Sequence, residues 1–362
     1  MEYILFLIAI ILILEFRPVK RLEEKGTVED LKEGFPENIH KCNIIAHVHT
    51  QFSFDSLGKP SDIKKAMEDN SIDYVFITDH DNDNYRFFED DKVFAGVEKN
   101  TEDGRLLLLG NKLPVISHPN NFEFEHYRWK GEFRKDYLYE LINIKDAVVW
   151  SKFLSVIYLL KNILLYPITR KVLHKWNVLI PLDKWVYLYF SRAKGLKIIG
   201  GLDLHIKLVY QEHTHGVLIP SYREGFKWLV NKCYSRKELE SKEEVLNTLK
   251  EGKLFLSMKQ AEGDFWANLN NKTFLFWEKT PVGAYLNCSI KGKKIVVILK
   301  KENIPVVITE KKEFSFKTEK EGLYHFEVYE YDFKFGNFYF GFRPLIITNM
   351  FEVVNDRKEN YT

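Results

Sequence analysis

The chain opens with an unbroken apolar run from Tyr3 to Leu14. From residue 41 a second pattern takes over, in which short apolar runs end in side chains of ligand type. Residues 42–46 lead into His47 and His49, and residues 74–78 into Asp79 and His80. Residues 94–97 lead into Glu98, 113–117 into His118, 138–142 into Asn143, and 196–202 into Asp203 and His205. Short runs without alternation predict buried parallel strands. After the first, Pro60-Ser61-Asp62 followed by Ile63, Ala66 and Met67 predicts a helix start with one apolar face. Strand and helix in alternation predict an α/β sheet or barrel over residues 41–262.

Elsewhere the rhythm breaks. Residues 148–166 are strongly apolar up to Pro167, which is expected to end a helix. Residues 171–190 continue with Trp176 and Trp185, so a helical insertion is predicted over about 146–195. Residues 236–252 predict an amphipathic helix with Leu239, Val245 and Leu249 inward and Gly252 as its C-cap. From 263 to 362 the texture turns to alternation, which predicts a small all-β, sandwich-like C-terminal domain. Residues 17–40 are charged and carry Pro18, Gly26, Gly34 and Pro36; they are read as a linker with one short helix. The run within residues 1–16 is shorter than the ~30 Å hydrocarbon core requires. It reads as a short membrane anchor, a signal-peptide core or an interfacial helix, and predicts membrane association. Arg17, Lys20 and Arg21 follow it and no basic residue precedes it, which leaves the side of the membrane open.

Composition narrows the function. Fifty-three Lys and Arg against 51 Asp and Glu give a net charge of +2. That balance makes no electrostatic case for nucleic acid as the main partner. Cys42, Cys233 and Cys288 are too far apart for zinc-type spacing and odd in number for a disulfide framework.

The strand ends carry the chemistry. In His47-Val48-His49, residues two apart on a strand point the same way, so both imidazoles reach one metal ion. Six ligand-type strand ends in succession are hard to explain as packing, because clustered buried ionisable groups are costly unless a cation compensates. Mixed imidazole and carboxylate ligands suit Zn, Mn or Fe.

The strings HVHTQFSFDS, TDHD, AGVE, ISHPN and GGLDLH, in this order over about residues 41–260, resemble the motifs of the PHP (polymerase and histidinol phosphatase) superfamily. The insertion before DLH and the trailing β domain resemble a membrane-associated branch related to carbaryl-hydrolase-like metallohydrolases. The resemblance implies a distorted (β/α)7 barrel with two or three divalent metals. His47, His49, Glu98 and Asp203 would hold one, Glu98 and His118 a second, and Asp55, His80 and His205 a third. Two departures stand out: Asp55 occupies a position where many members have His, and only Glu140 and Asn143 lie where a His or Cys often follows the fifth strand.

Such a cluster implies metal-assisted hydrolysis of a small phosphorylated or ester substrate, with a metal-bridging water as nucleophile. Asp203 or His205 would shuttle the proton, and Asp79 would orient His80 or another ligand. A phosphoesterase is the first reading. The alternatives are a carbamate, amide or ester hydrolase and a non-catalytic metal-binding module at a membrane. Lys99, Arg128 and Arg192 are candidates for holding a phosphate. His213 and His215 are expected in an exposed loop, and His126, His174 and His325 are read as structural.

Overall fold

The computed structural model describes residues 2–150, 152–169, 174–214 and 216–355. His215, the start of the 171–190 run and residues 356–362 lie outside the described residues. The molecule is a mixed α/β structure with one large sheet and a C-terminal all-β region.

Nine strands carry the site: β1 (His40–Val48), β2 (Tyr74–His80), β3 (Val93–Thr101), β4 (Gly104–Leu109), β5 (Leu113–Ile116), β6 (Leu138–Asn143), β7 (Lys197–Gly201), β8 (Leu229–Ser235) and β9 (Leu254–Met258). Their order in the sheet is β9-β8-β1-β2-β3-β4-β5-β6-β7. β1, β2 and β3 pair in parallel, as do β5, β6 and β7. β8 and β9 join the other side of β1 antiparallel. Between the two parallel sets the expected alternation fails, because β4 runs antiparallel to both β3 and β5. Gly104, at φ +116°, makes the tight reversal after Asp103 that returns the chain as a strand.

The sheet curls back on itself. The chain leaving β7 runs beside β1, with Leu202 N donating to Ala46 O at 3.1 Å and His49 N donating to Leu204 O at 3.0 Å. Two buried asparagines stitch the seam where backbones do not pair. The Asn231 side chain accepts from Gly200 N at 2.8 Å and donates to Gly200 O at 2.9 Å and Ile44 O at 3.3 Å. Asn349 does the same for Ile198 N and O, both at 2.9 Å, and also donates to Leu254 O at 3.1 Å. An amide side chain reproduces a peptide's donor and acceptor, so neither strand is left with orphaned buried groups.

The helices follow their local signals. Helix Pro60–Asn70 has Pro at its first turn, Asp62 accepting from Lys59 N at 3.2 Å, and Ile63, Ala66 and Met67 buried. Helix Lys242–Glu251 starts later than the predicted 236, because Ser241 caps it through Glu244 N at 3.3 Å. Gly252 ends it at φ +70°. The insertion comprises helices Ile144–Trp150, Lys152–Thr169 and Leu182–Arg192 and the short 3-10 helix Trp176–Leu179. Pro167 lies inside Lys152–Thr169, which continues two residues beyond it.

No helix forms in residues 17–40. This segment lies along the C-terminal β region, with Val19–Arg21 pairing with Phe338–Phe340 and Lys25 bridging to Ile308. In that region a four-stranded sheet faces an extension of the large sheet across a second core that includes Phe265, Leu286, Val297, Phe326 and Phe351. The N-terminal helix, Glu2–Glu15, has 14 residues. Among the described residues no single helix is long and apolar enough to cross a membrane.

Candidate metal centre

The curl gathers the C-terminal ends of β1, β2, β3, β6 and β7 and the loop after β5 at one end of the sheet. All eight ligand-type residues of the sequence reading meet there. His47 Nε2 and His49 Nε2 each lie 3.3 Å from Glu98 Oε2. They stand 3.6 and 3.4 Å from Asp203 Oδ1. His47, His49, Glu98 and Asp203 are all buried and form one group able to hold a metal ion. His49, Asp55, His80 and His205 form a second such group, sharing His49 with the first. In it His205 Nε2 lies 3.1 Å and His80 Nε2 3.6 Å from Asp55. The His49 and His205 rings stack at 4.0 Å. His118 Nε2 approaches the other oxygens of the shared carboxylates, at 3.1 Å from Glu98 Oε1 and 3.4 Å from Asp203 Oδ2.

The donor set fits divalent cations. Two ligands about 2.1 Å from one ion at the tetrahedral angle stand about 3.4 Å apart. His49 Nε2, His205 Nε2 and Asp203 Oδ2 are buried, sit at such spacings from their neighbours, and make no hydrogen bond. Buried polar atoms are nearly always paired, so atoms aimed at a common point without bonding each other mark a place for an ion. The backbone adds a second sign. His47, His118 and Asp203 hold left-handed φ values of 62°, 51° and 50°. Each such strain costs about 1–3 kcal/mol and is kept where function requires it.

Charge is unbalanced without a cation. Burial alone would favour the uncharged forms of Glu98 and Asp203. The imidazoles around both carboxylates, together with Lys145 beside Asp203, outweigh it and hold them well below their ordinary values. His47 is desolvated, yet Glu140, Asp203 and Glu98 push it up to about 10. His49 goes the other way, down to about 4, through burial and the neighbouring His205. The cluster thus draws positive charge, which protons supply in the ion-free state.

Four residues outside the predicted ligand set hold it in place. Glu140 Oε1 lies 2.6 Å from His47 Nδ1, and its other oxygen accepts from Ser117 Oγ and His118 N, both at 3.0 Å. Asp146 stands 3.0 Å from His118 Nδ1. Carboxylates on the far ring nitrogen fix an imidazole's orientation and leave Nε2 free for a metal. Arg105 donates to Glu98 Oε1 at 3.0 Å, and Lys145 to Asp203 Oδ1 at 3.4 Å.

Other expectations are placed differently. Asp79 accepts from Thr50 N at 2.6 Å and Thr50 Oγ1 at 2.7 Å, so it positions the loop after His49 instead of His80. Asn143 donates to Glu140 at 3.1 Å and accepts from Asp146 N at 3.0 Å, which makes it a brace between the Glu140 carboxylate and the first turn of helix Ile144–Trp150. Lys99 is exposed, while Arg128 pairs with Glu125 and Arg192 donates to Pro119 O. Among the described residues, the arginine and lysine side chains that reach the cluster are Arg105 on Glu98, Lys145 on Asp203 and Lys207, 3.7 Å from Asp55 Oδ2. His213 is exposed, in the short helix Glu212–Thr214.

Comparison with known proteins adds little. No family model matches the chain, and no curated protein matches it either. Among solved structures it is similar to a two-domain protein containing a predicted PHP-like metal-dependent phosphoesterase from Bacteroides vulgatus. Identity is 12%, coverage is 91% of this chain and 99% of the other, and the TM-score is 0.31. The functional reading therefore rests on the residues themselves.

Proposed function

We propose that the chain is a metal-dependent phosphoesterase of the PHP superfamily. In this reading β1–β9 and their helices form the superfamily's distorted (β/α)7 barrel, residues 41–262 are the catalytic domain, and residues 263–362 are an appended β domain. The observation that carries it is the pair of ligand groups joined at His49, with Glu98 and Asp203 each offering a second oxygen toward His118. His47, His49, Glu98 and Asp203 would hold one divalent ion. His49, Asp55, His80 and His205 would hold another, and His118 with Asp203 Oδ2 and Glu98 Oε1, which also accepts from Arg105, would offer a third position. When bound, such ions acidify water and polarise the ester bond.

The chain's own residues do the rest. Lys145, 38% exposed and beside Asp203, supplies a cation within reach of an anionic ester bound at the cluster; this favours phosphate over carbamate, amide or carboxylic ester. Arg105 neutralises Glu98 and keeps it in place. His205 would bind its ion through Nε2, which makes no hydrogen bond, while its Nδ1 stands 3.0 Å from Asp203 O, which fixes the ring. The Phe54 ring, 83% exposed, stacks on His80 at 5.0 Å and shields that side of the cluster.

The test is metal content by mass spectrometry, paired with hydrolysis of p-nitrophenyl phosphate and bis-p-nitrophenyl phosphate. Two or three equivalents of Zn, Mn or Fe with turnover are expected, both lost in the His47→Ala/His49→Ala variant. Metal without phosphate turnover moves the reading to ester or amide substrates. A folded protein that takes up no metal ends the enzyme reading.

A further inference from the structure

Helix Lys152–Thr169 carries its polarity inside out. Ser155, Tyr158, Lys161, Asn162 and Thr169 recur at helical spacing and so share one stripe. Tyr158, Lys161 and Asn162 on that stripe are buried, Lys161 to 2% exposure. The Tyr158 hydroxyl donates to Leu14 O at 2.9 Å, Lys161 to Glu15 at 2.7 Å, and Asn162 to His174 O at 3.2 Å. Ser155 donates to Val148 O at 2.7 Å. The opposite face presents Phe153, at 77% exposure, with Val156, Leu159, Leu160, Ile163 and Leu164. A helix on a water-soluble surface has the reverse arrangement.

A core helix would bury its apolar face, and this one does not. The N-terminal helix repeats the pattern, docking by Leu14 and Glu15 against Lys152–Thr169 while exposing Ile10, Leu12 and Ile13. Two segments far apart in sequence thus present apolar side chains outward and tie their polar groups to each other. A protein partner would meet a polar rim and hydrogen-bond donors. Here nearly every polar side chain along the helix is turned inward. Basic residues stand at the ends: exposed Lys152 opens this helix and exposed Arg17 follows the N-terminal one, and in the sequence Arg170 and Lys171 come after Thr169. Basic ends with an apolar middle match anionic headgroups over acyl chains.

The surface is also tied to the metal centre. Helix Ile144–Trp150 carries Lys145 and Asp146, which touch Asp203 and His118, and it bends by 100° into Lys152–Thr169. Asp146 lies four residues before Trp150, about 6 Å of helix from that bend.

We propose that this face lies in the interfacial layer of a lipid bilayer, and that the ester cleaved beside it is the phosphate of a membrane amphiphile. The second half rests on the phosphoesterase reading above. In the reaction a water oxygen bonds to phosphorus, the P–O bond to the lipid alcohol breaks, and the water's proton passes to the departing oxygen.

The full chain, purified in detergent, is floated with phosphatidylcholine–phosphatidylglycerol vesicles beside the Leu160→Glu/Ile163→Glu variant, whose fold is checked by circular dichroism. The wild type is expected to float, and the variant to bind at least tenfold less while keeping its turnover of p-nitrophenyl phosphate. Phosphate release from vesicle-borne phosphatidic acid should fall at least tenfold in parallel. A wild type that stays with the soluble fraction, or a variant that floats equally well, overturns the bilayer. So does a lipid-free dimer that the variant dissociates, since the face then belongs to a second copy. Flotation with turnover of the soluble ester but none of the vesicle-borne one overturns the amphiphile. Flotation without turnover of either ester leaves the docking surface standing and removes the phosphoesterase reading together with its substrate.

Discussion

The two ligand groups meet at His49 but are held to different standards. In the first, every member is buried, and most have a partner that fixes their direction: Glu140 for His47, Arg105 for Glu98, Lys145 for Asp203. The second depends on Asp55, whose side chain is 24% exposed, in the loop between β1 and helix Pro60–Asn70. That loop is fixed by Thr50 on Asp79 and by Leu57 N on Ile206 O at 2.8 Å. Strand ends give rigid, dry ligands, and a loop gives an adjustable, wetter one. The first group is therefore expected to bind its ion more tightly and to shape the second through the shared imidazole.

Removing the shared residue gives the largest effect. His49→Ala opens both groups at once, and turnover of bis-p-nitrophenyl phosphate should fall by more than the ~10–100-fold typical of an outer partner's loss. Metal content should drop by more than one equivalent. Loss of a single equivalent would show that only one group uses His49. Next comes Glu140→Gln, which keeps the shape but weakens the hold on His47. It should cost about 10–100-fold in affinity for the tighter ion and leave the looser one unchanged, read by competition with a metal chelator. Equal weakening of both would mean that the groups are not separable.

The third effect is on stability and separates protons from metal. The folded value of His47, about 10, lies above its ordinary 6.5. Its contribution is therefore full below pH 6.5 and is lost as pH rises through about 10. Glu98 and Asp203 are shifted down, so their contribution is present above the ordinary carboxylate range and lost in acid. Chelator-stripped protein should thus melt at progressively lower temperature from pH 6.5 to pH 10, while metal-loaded protein should not, because the ion replaces the proton. Parallel melting curves for the two forms would show that His47 is not a ligand.

Much of the rigid group was legible along the chain, because each of its members follows an apolar run and His47 and His49 obey strand spacing. Its supports were not. Arg105 sits on β4, whose apolar residues end in no ligand-type side chain, so nothing marked that run as part of the site. Lys145 and Asp146 read as the first turn of an insertion, although they reach back to Asp203 and His118. Asp79 was expected to orient His80 or another ligand, and the sequence did not say which; its partner, Thr50, follows His49 on another strand's loop. Asn231 and Asn349 carry no local signal at all, since their meaning lies in peptide groups 31 and 151 residues away. The polarity of Lys152–Thr169 was half visible: its few polar residues stood out, but the direction they face is a property of packing.

The smallest effect, and the sharpest for the comparison, belongs to Asp55→Asn. Burial works against this carboxylate's charge, but His205 and His80 override it and hold it below its ordinary value, so it is ionised across the working range. Lys207 Nζ donates to Asp55 O at 2.7 Å, which keeps the loop in place when the side chain is changed. The amide retains one oxygen toward the imidazoles and loses the charge. Only the wetter ion should leave, one equivalent by mass spectrometry, with turnover lower by about tenfold, the small end of what a lost ligand contact costs. If both ions leave, the loop is as essential as the strands, and the division between a rigid and an adjustable group is wrong.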